Sequence, residues 1–249
     1  MKNILNKIYF HPIFLMTLLI FISIGHFKFI SYFMLLIIVH ELGHILVSLI
    51  FKWNIEKIII LPFGGLTKYN EIINRPLIEE FLIAIAGIIF QVIFYILIKD
   101  YIDYKYFGII NYFIILFNLM PIYPLDGSKI LNIFFNLITS YKNSLLLTVI
   151  ISYIFIIVLS LLFFNINKII ALILIFLMLE VKKLYKERKA LFNKFLLERY
   201  LGDFKFKKKK TINSVDKMKK DYRHLFYIDG KYLTENYFLK KMFDIRSNL

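Results

Sequence analysis

Long apolar runs dominate the first 180 residues of this 249-residue chain and restrict what it can fold into. A helix needs about 20 mostly apolar residues to cross the hydrocarbon core of a bilayer, which is about 30 Å thick. Apolar segments of suitable character lie at about residues 12–28, 31–51, 77–98, 107–120, 144–164 and 167–181. The sequence therefore predicts an all-α polytopic membrane protein with about six transmembrane helices.

The net charge of +15 is concentrated after the last apolar run. Residues 181–249 hold 20 Lys and Arg against 8 Asp and Glu, whereas residues 1–180 hold 12 against 9. Since basic residues accumulate on the cytoplasmic side and six spans place both ends on one side, we expect both termini in the cytoplasm. The pattern predicts a transmembrane domain over residues 1–181 and a basic cytoplasmic tail over residues 182–249. Because the basic residues directly follow a membrane helix, the lipid bilayer is favoured over nucleic acid as their partner.

The tail itself carries local structure signals. Residues 182–210 predict a helix followed by a Lys-rich linker. Further on, His224–Ile228 and Lys231–Thr234 flank Asp229-Gly230, a dipeptide typical of a tight β-hairpin turn. Asn236–Phe243 predicts a short helix, so the tail is expected to end in a small folded fragment.

Residues 54–69 do not have the character of a helix. Two short apolar stretches, Ile58–Leu61 and Leu66–Tyr69, surround Pro62-Phe63-Gly64-Gly65, and Pro with paired Gly marks a turn. We expect a membrane-associated β-hairpin whose exposed edge can pair with an extended peptide. The alternative is a plain cytoplasmic loop.

The strongest chemical motif is His40-Glu41-Leu42-Gly43-His44, which lies within the second apolar run. Residues four apart share one helix face at about 5–6 Å, so both imidazoles can reach one zinc ion. Glu41 can take the proton of a water whose pKa the zinc lowers to about 7. A charge at the bilayer centre costs about 2.5–3.5 kcal/mol, which disfavours the alternative of a buried polar network that only holds helices together.

A third zinc ligand must come from His, Asp or Glu, because the chain has no cysteine. The remaining histidines are poorly placed: His11 and His26 lie at the two ends of the first span, and His224 lies in the tail.

Asp126 is the carboxylate that lies in a broken membrane segment, residues 118–127, with Pro121, Pro124 and Gly127. Irregular backbone at membrane depth is tolerated only inside protein or beside water, which marks a site. Asp126 is therefore the predicted third ligand; the alternative is that it only caps the break beside Gly127.

The two motifs together, His40–His44 and Asn118-Leu119-Met120-Pro121-Ile122-Tyr123-Pro124-Leu125-Asp126-Gly127, resemble the site-2 protease family of intramembrane zinc metalloproteases, M50. That family pairs H-E-x-x-H with a later N-x-x-P-x-x-x-L-D-G stretch. In its six spans, short N-terminus and small tail the chain is most similar to the stage IV sporulation protein FB branch. Two departures are visible: Gln91 stands where Asn is usual, and the tail has room for at most part of a CBS module.

The resemblance implies a role for each motif position. His40, His44 and Asp126 would ligate Zn²⁺, Glu41 would be the catalytic base and then acid, and Asn118 would hold the substrate strand or the oxyanion. Pro62, Gly64 and Gly65 of the hairpin would dock the substrate as an extended strand.

The resemblance also implies a substrate and a location. The substrate would be a membrane-tethered sporulation sigma-factor precursor, cut in a bacterial membrane on the mother-cell side, with regulatory membrane proteins as further partners. Alternative substrates are an anti-sigma factor or a signal-peptide remnant. A non-catalytic metal-binding scaffold and a transporter are the alternatives from other functional classes; a transporter gives the H-E-x-x-H spacing no role.

Overall fold

The computed structural model describes residues 4–61, 64–163, 168–202, 204, 206, 208–228 and 230–247. The helices are α1 (Pro12–Ser23), α2 (Phe27–Ile50), α3 (Leu77–Ile98), α4 (Tyr104–Asn118), α5 (Asp126–Ile138), α6 (Tyr141–Phe163), α7 (Lys168–Leu201) and α8 (Glu235–Ser247). The strands are β1 (Ile8–Phe10), β2 (Ile55–Leu61), β3 (Gly64–Tyr69), β4 (Lys208–Ile212), β5 (Tyr222–Ile228) and β6 (Lys231–Thr234).

Three helices in the described ranges are long and apolar enough to cross a membrane. They are α2, α3 with its 3-10 extension to Tyr101, and α6. Large apolar side chains on their surfaces remain exposed, for example Leu97 and Leu161, which suits contact with lipid. The structure is therefore mostly helical with membrane-like helices, and the six-span topology stays a prediction.

The chain divides into two compact units. The first holds Met1–Glu71, Phe81–Met120 and Pro124–Gly127, and the second holds Ile72–Glu80, Pro121–Tyr123 and Ser128–Leu249. Helices α3 and α5 each contribute residues to both units.

The first unit is built on α2, which has apolar neighbours on two sides. On one side Phe14 of α1 and Ile45 of α2 pack with Ile58 and Ile60 of β2. On the other, Leu36 of α2 packs against buried side chains of α4, including Phe107 and Ile114. Between these clusters, one face of the middle of α2 is buried.

The predicted hairpin is confirmed. Strands β2 and β3 pair antiparallel, with Leu61 opposite Gly64 and Ile58 opposite Thr67. Strand β1 adds in parallel to the other edge of β2, so the strand order is β1-β2-β3. Among the described strands, none pairs with the outer edge of β3. The turn residue Pro62, which the sequence assigned to substrate docking, lies outside the described residues.

The broken segment after α4 arises from its prolines. Helix α4 ends at Asn118, before Pro121 and Pro124, neither of which can donate a backbone hydrogen bond to extend it. Helix α5 then begins at Asp126. A side chain on Gly127 would place its Cβ 2.0 Å from the Leu119 carbonyl oxygen, so only glycine allows the chain to fold back this closely.

The second unit corrects the prediction of a Lys-rich linker. Lys208–Ile212 instead forms β4, which pairs in parallel with β5, and β5 and β6 form the predicted hairpin. Gly230 occupies its turn at φ +77°, while Asp229 lies outside the described residues. Ile212 is buried among the aromatic core of this unit, which explains why the basic run pairs as a strand.

A buried polar network anchors the second unit. The guanidinium of Arg199 on α7 donates to Asn74 Oδ1 at 2.6 Å and to Glu235 Oε1 at 3.1 Å. Glu235 Oε2 lies 3.2 Å from His224 Nδ1, and His224 Nε2 accepts the Lys219 N–H at 3.1 Å. Each buried charge therefore has a partner, as burial requires.

Candidate active site

The first unit brings the H-E-x-x-H helix and the broken segment together. His40 and His44 of α2 and Asp126 at the start of α5 are all buried, and each offers a ligand atom within 4.8 Å of the others. His40 Nε2 and His44 Nε2 each lie 3.0 Å from Asp126 Oδ2, and the two Nε2 atoms lie 3.1 Å apart. The three residues predicted as ligands thus form one cluster.

Each imidazole is oriented through its other nitrogen. His40 Nδ1 lies 3.0 Å from Gln91 Oε1, and His44 Nδ1 lies 2.7 Å from the Ile83 carbonyl oxygen. Since these oxygens can only accept, each Nδ1 carries the donating proton, and in a neutral ring Nε2 is then unprotonated. The orientation of the Gln91 amide follows from its donation to Asn111 Oδ1 at 3.0 Å.

This donor set fits a zinc ion. Two unprotonated imidazole nitrogens and a carboxylate oxygen converge on one point, where they repel one another unless a cation lies between them. Ligands at 2.0–2.1 Å from a tetrahedral zinc are about 3.3 Å apart, close to the 3.0–3.1 Å observed. Two nitrogens and one oxygen are also a ligand set that catalytic zinc sites use.

The N-terminus of α5 adds to the electrostatics of the cluster. Asp126 is the first residue of this helix, where the backbone dipole stabilises a negative charge. The break that makes α5 begin at this residue therefore places the carboxylate at the positive end of the helix dipole.

The close approach of α3 leaves space for the cluster only because Gly87 has no side chain. A Cβ at Gly87 would lie 2.5 Å from His44 Nε2 and 2.7 Å from His40 Nε2. A Cβ at Gly43 of α2 would lie 2.6 Å from the Ala86 carbonyl oxygen. Gly87 therefore lies directly against the Nε2 atoms of both histidines, where a larger residue would not fit.

Glu41, the predicted general base, is buried against the hairpin. Its Oε2 accepts the Thr67 hydroxyl at 2.7 Å. Tyr69 lies two residues further along β3; burial raises the pKa of its phenol, and the Glu41 carboxylate raises it further, so the phenol stays protonated near neutral pH. The hairpin therefore presents a neutral, hydrogen-bonding surface to Glu41.

Asn118 lies next to the hairpin. Its Nδ2 donates to the Ile114 carbonyl oxygen at 3.0 Å, and its Oδ1 would lie 3.4 Å from a Cβ on Gly64. Three of the four residues that the sequence assigned to the substrate, namely Asn118, Gly64 and Gly65, are thus neighbours in the same unit as the histidines.

The chain is similar to known proteins over much of its length. Residues 28–102 match Peptidase family M50. Stage IV sporulation protein FB of Bacillus subtilis (strain 168) is 33% identical over 211 residues, which cover 80% of this chain and 73% of that protein. The chain belongs to the M50 family. It is an intramembrane zinc metalloprotease of the site-2 type.

Two further relatives support the M50 assignment. A zinc metalloprotease of Methanocaldococcus jannaschii is 35% identical over 104 residues, 38% of this chain and 30% of that protein. The solved Site-2 Protease from Methanocaldococcus jannaschii superposes with a TM-score of 0.56 at 25% identity, covering 71% of this chain and 89% of that one.

The sequence identified Gln91 only as a departure from the family pattern, and it did not point to Asn111 or Thr67. All three side chains are buried. Gln91 is hydrogen-bonded to His40 and to Asn111, and Thr67 is hydrogen-bonded to Glu41. Gln91 follows Gly87 by four residues, so helix periodicity places it on the face that approaches the histidines. Thr67 follows Gly65 by two residues, which puts both on one face of the strand. The Ile83 carbonyl carries no sequence signal.

Proposed function

We propose that His40, His44 and Asp126 hold the zinc ion of this protease. The supporting observation is the convergence of their three donor atoms at 3.0–3.1 Å, with both Nδ1 atoms already committed elsewhere. A zinc ion bound there supplies Lewis-acid chemistry: it lets a water lose a proton near neutral pH and polarises a carbonyl group.

We propose Glu41 as the general base. Its carboxylate takes a proton from the water that attacks the peptide carbonyl carbon, and it then gives that proton to the amine nitrogen as the carbon–nitrogen bond breaks. Such proton transfer contributes about 10²–10⁴-fold to the rate. Burial of Glu41 beside His40 suits this role because bulk water cannot compete for the proton.

The substrate is proposed to bind as an extended strand on the outer edge of β3. Pairing there uses backbone hydrogen bonds and exposes the scissile carbonyl, which a helical substrate would hide. Gly64 and Gly65 belong to β3, and Asn118 lies next to Gly64. Pro62 belongs to the same proposal. The closeness of Gly65 to Glu41, and of Gly64 to Asn118, supports a shared role in holding the peptide.

The proposed topology has six spans, a membrane-associated hairpin and both termini in the cytoplasm. The charge bias of the loops and the basic tail support this orientation. Residues 1–181 would form the membrane domain and residues 182–249 the cytoplasmic tail, so the membrane domain would include part of the second compact unit.

The proposed substrate is a membrane-tethered sigma-factor precursor of sporulation. Similarity to stage IV sporulation protein FB over most of both chains supports it. An anti-sigma factor or a signal-peptide remnant is the alternative substrate for the same chemistry, and other membrane proteins are proposed as regulatory partners.

Co-expression with a tethered sigma-factor precursor tests the proposal. We expect the wild-type chain to shorten the precursor on a gel and Glu41→Gln to leave it intact while retaining zinc. Glu56→Gln, on an exposed position of β2, is the matched control and is expected to cleave normally. Equal cleavage by wild type and Glu41→Gln would refute the role of Glu41. No cleavage by wild type would refute the substrate, which an anti-sigma factor in the same assay would then replace.

A further inference from the structure

Strand β3 lies along α2 with one face towards Glu41. The Thr67 hydroxyl donates to Glu41 Oε2 at 2.7 Å, and both residues are buried, with exposed fractions of 6% and 4%. A hydrogen bond between a hydroxyl and a carboxylate at this distance is a strong, charge-assisted contact. Thr67 therefore holds one of the two carboxylate oxygens at a defined position.

Gly65 lies against the other oxygen of the same carboxylate. A Cβ on Gly65 would lie 2.3 Å from Glu41 Cδ and 2.4 Å from Oε1. The backbone of β3 thus lies directly against the carboxyl group. Since alternate residues of a strand share one face, Gly65 and Thr67 together confine the Glu41 side chain from one strand.

Confinement matters because Glu41 has three rotatable side-chain bonds. A general base must lie within about 2.6–3.2 Å of the proton that it removes. Thr67 suits this task because a β-branched side chain has a stiff first torsion, so its hydroxyl is itself well positioned.

We propose that Thr67 is a positioning residue that orients Glu41 for proton transfer. The inference rests on the proposed role of Glu41 as the base. Strand β3 also carries the edge proposed for the substrate strand. The same strand would therefore bind the peptide and orient Glu41. Substrate docking and proton transfer would then be mechanically linked.

The test compares Thr67→Val, which keeps the shape but removes the hydroxyl, with Thr67→Ser, which keeps the hydroxyl. We expect Thr67→Val to lower kcat for the tethered sigma-factor precursor about 10–100-fold, the loss typical of a misplaced catalytic group, with KM and zinc content within about twofold of wild type. Thr67→Ser should recover most of kcat. Thr17→Val on α1, whose hydroxyl donates to the Phe14 carbonyl oxygen, is the matched control and should retain wild-type kcat.

Either of two results would overturn the proposal: full kcat in Thr67→Val, or an equal loss in Thr67→Ser and Thr67→Val, which would assign the effect to packing. A rise in KM with unchanged kcat would assign Thr67 to substrate binding instead and would equally overturn it.

A second measurement separates this inference from the proposed function. The apparent Tm of Thr67→Val is measured in the wild-type background and in Glu41→Ala. If Thr67 acts on Glu41, its substitution lowers Tm in the first background and has little effect in the second. Equal shifts in both backgrounds refute the contact. If the effects of Thr67→Val and Glu41→Ala on Tm depend on each other but the chain cleaves no substrate, the contact between Thr67 and Glu41 is supported and the proposed function is refuted.

Discussion

At the scale of single residues, the proposed metal site depends on which nitrogen of each histidine carries the proton. His40 and His44 are both fixed through Nδ1, one by the Gln91 side chain and one by the Ile83 carbonyl oxygen. Partners of this kind fix the tautomer and the orientation of a ligating ring. Gln91, a departure from the usual family residue, therefore still makes a contact that suits a zinc site.

Gln91→Leu should weaken zinc binding without removing a ligand. Leucine has a similar volume but cannot accept the His40 Nδ1 proton, so we expect zinc affinity to fall about 10–100-fold. Competition with a chelator of known affinity measures the change. Asn136→Leu replaces another buried amide, one that bonds locally to Asn132 on α5, and should leave zinc affinity unchanged. Equal affinities for Gln91→Leu and wild type would contradict the role of Gln91.

At the scale of elements, the site requires backbone to come unusually close to neighbouring side chains and backbone. Helix α3 approaches α2 at Gly43 and Gly87, strand β3 approaches Glu41 at Gly65, and α5 folds back on the end of α4 at Gly127. In each case a Cβ would meet an atom at 2.6 Å or less. Small residues at helix contacts are common in membranes because they let backbones pack closely.

Gly87→Ala should disrupt the metal site through packing alone. The added methyl group would press on both Nε2 atoms, and neither ring can move away without breaking its Nδ1 hydrogen bond. We expect less than one zinc per two chains and at least a tenfold loss of kcat. Metal analysis of the purified protein measures the first. Gly108→Ala on α4, where the nearest atom is the flexible hydroxyl end of Tyr95, is the control and should bind zinc normally.

At the scale of the whole molecule, the tail is held by buried polar groups as well as by apolar packing. His224 is fully buried, and burial lowers the pKa of its imidazole. The hydrogen bond and charge of Glu235 raise this pKa, whereas the charges of Arg199 and Lys210 lower it further. Burial raises the pKa of Glu235, but the His224 hydrogen bond and the Arg199 charge outweigh this and lower it. The folded tail therefore favours a neutral histidine beside an ionised carboxylate.

The tail should lose stability in mild acid. Because the pKa of His224 is lower in the folded state, the unfolded chain takes up a proton first as the pH falls below about 6.5. The contribution of neutral His224 to the stability of the tail is complete above that pH. It is lost as the pH falls towards the pKa that His224 has in the folded state. Glu235 acts in the same direction only below its ordinary pKa of 4.5.

Hydrogen exchange of Tyr222–Ile228, corrected for intrinsic rates, measures this loss between pH 7.5 and 5.5. In wild type, the free energy of opening of this strand should be smaller at the lower pH. In His224→Gln, which cannot take up the proton, this free energy should change less with pH. The same pH dependence in both chains would contradict the assignment to His224.

The sequence by itself determined the chemistry and the membrane character of this protein. His40 and His44 could be placed on one helix face because helix spacing is local, and Pro121 and Pro124 predict a break because proline cannot continue a helix. The hairpin over residues 55–69 could likewise be predicted from its turn residues. These features depend only on nearby positions in the chain.

Only the tertiary structure decided how the site is supported. The bonds from Gln91 to His40 and from Thr67 to Glu41 join residues 51 and 26 positions apart, and no local pattern encodes such pairs. The basic run Lys208–Lys210 reads as a linker by composition, yet it forms a strand because Ile212 is buried and β5 supplies hydrogen-bond partners. Long-range packing overrides local composition in this segment because strand pairing and the burial of Ile212 stabilise it, while the three lysines stay exposed to solvent.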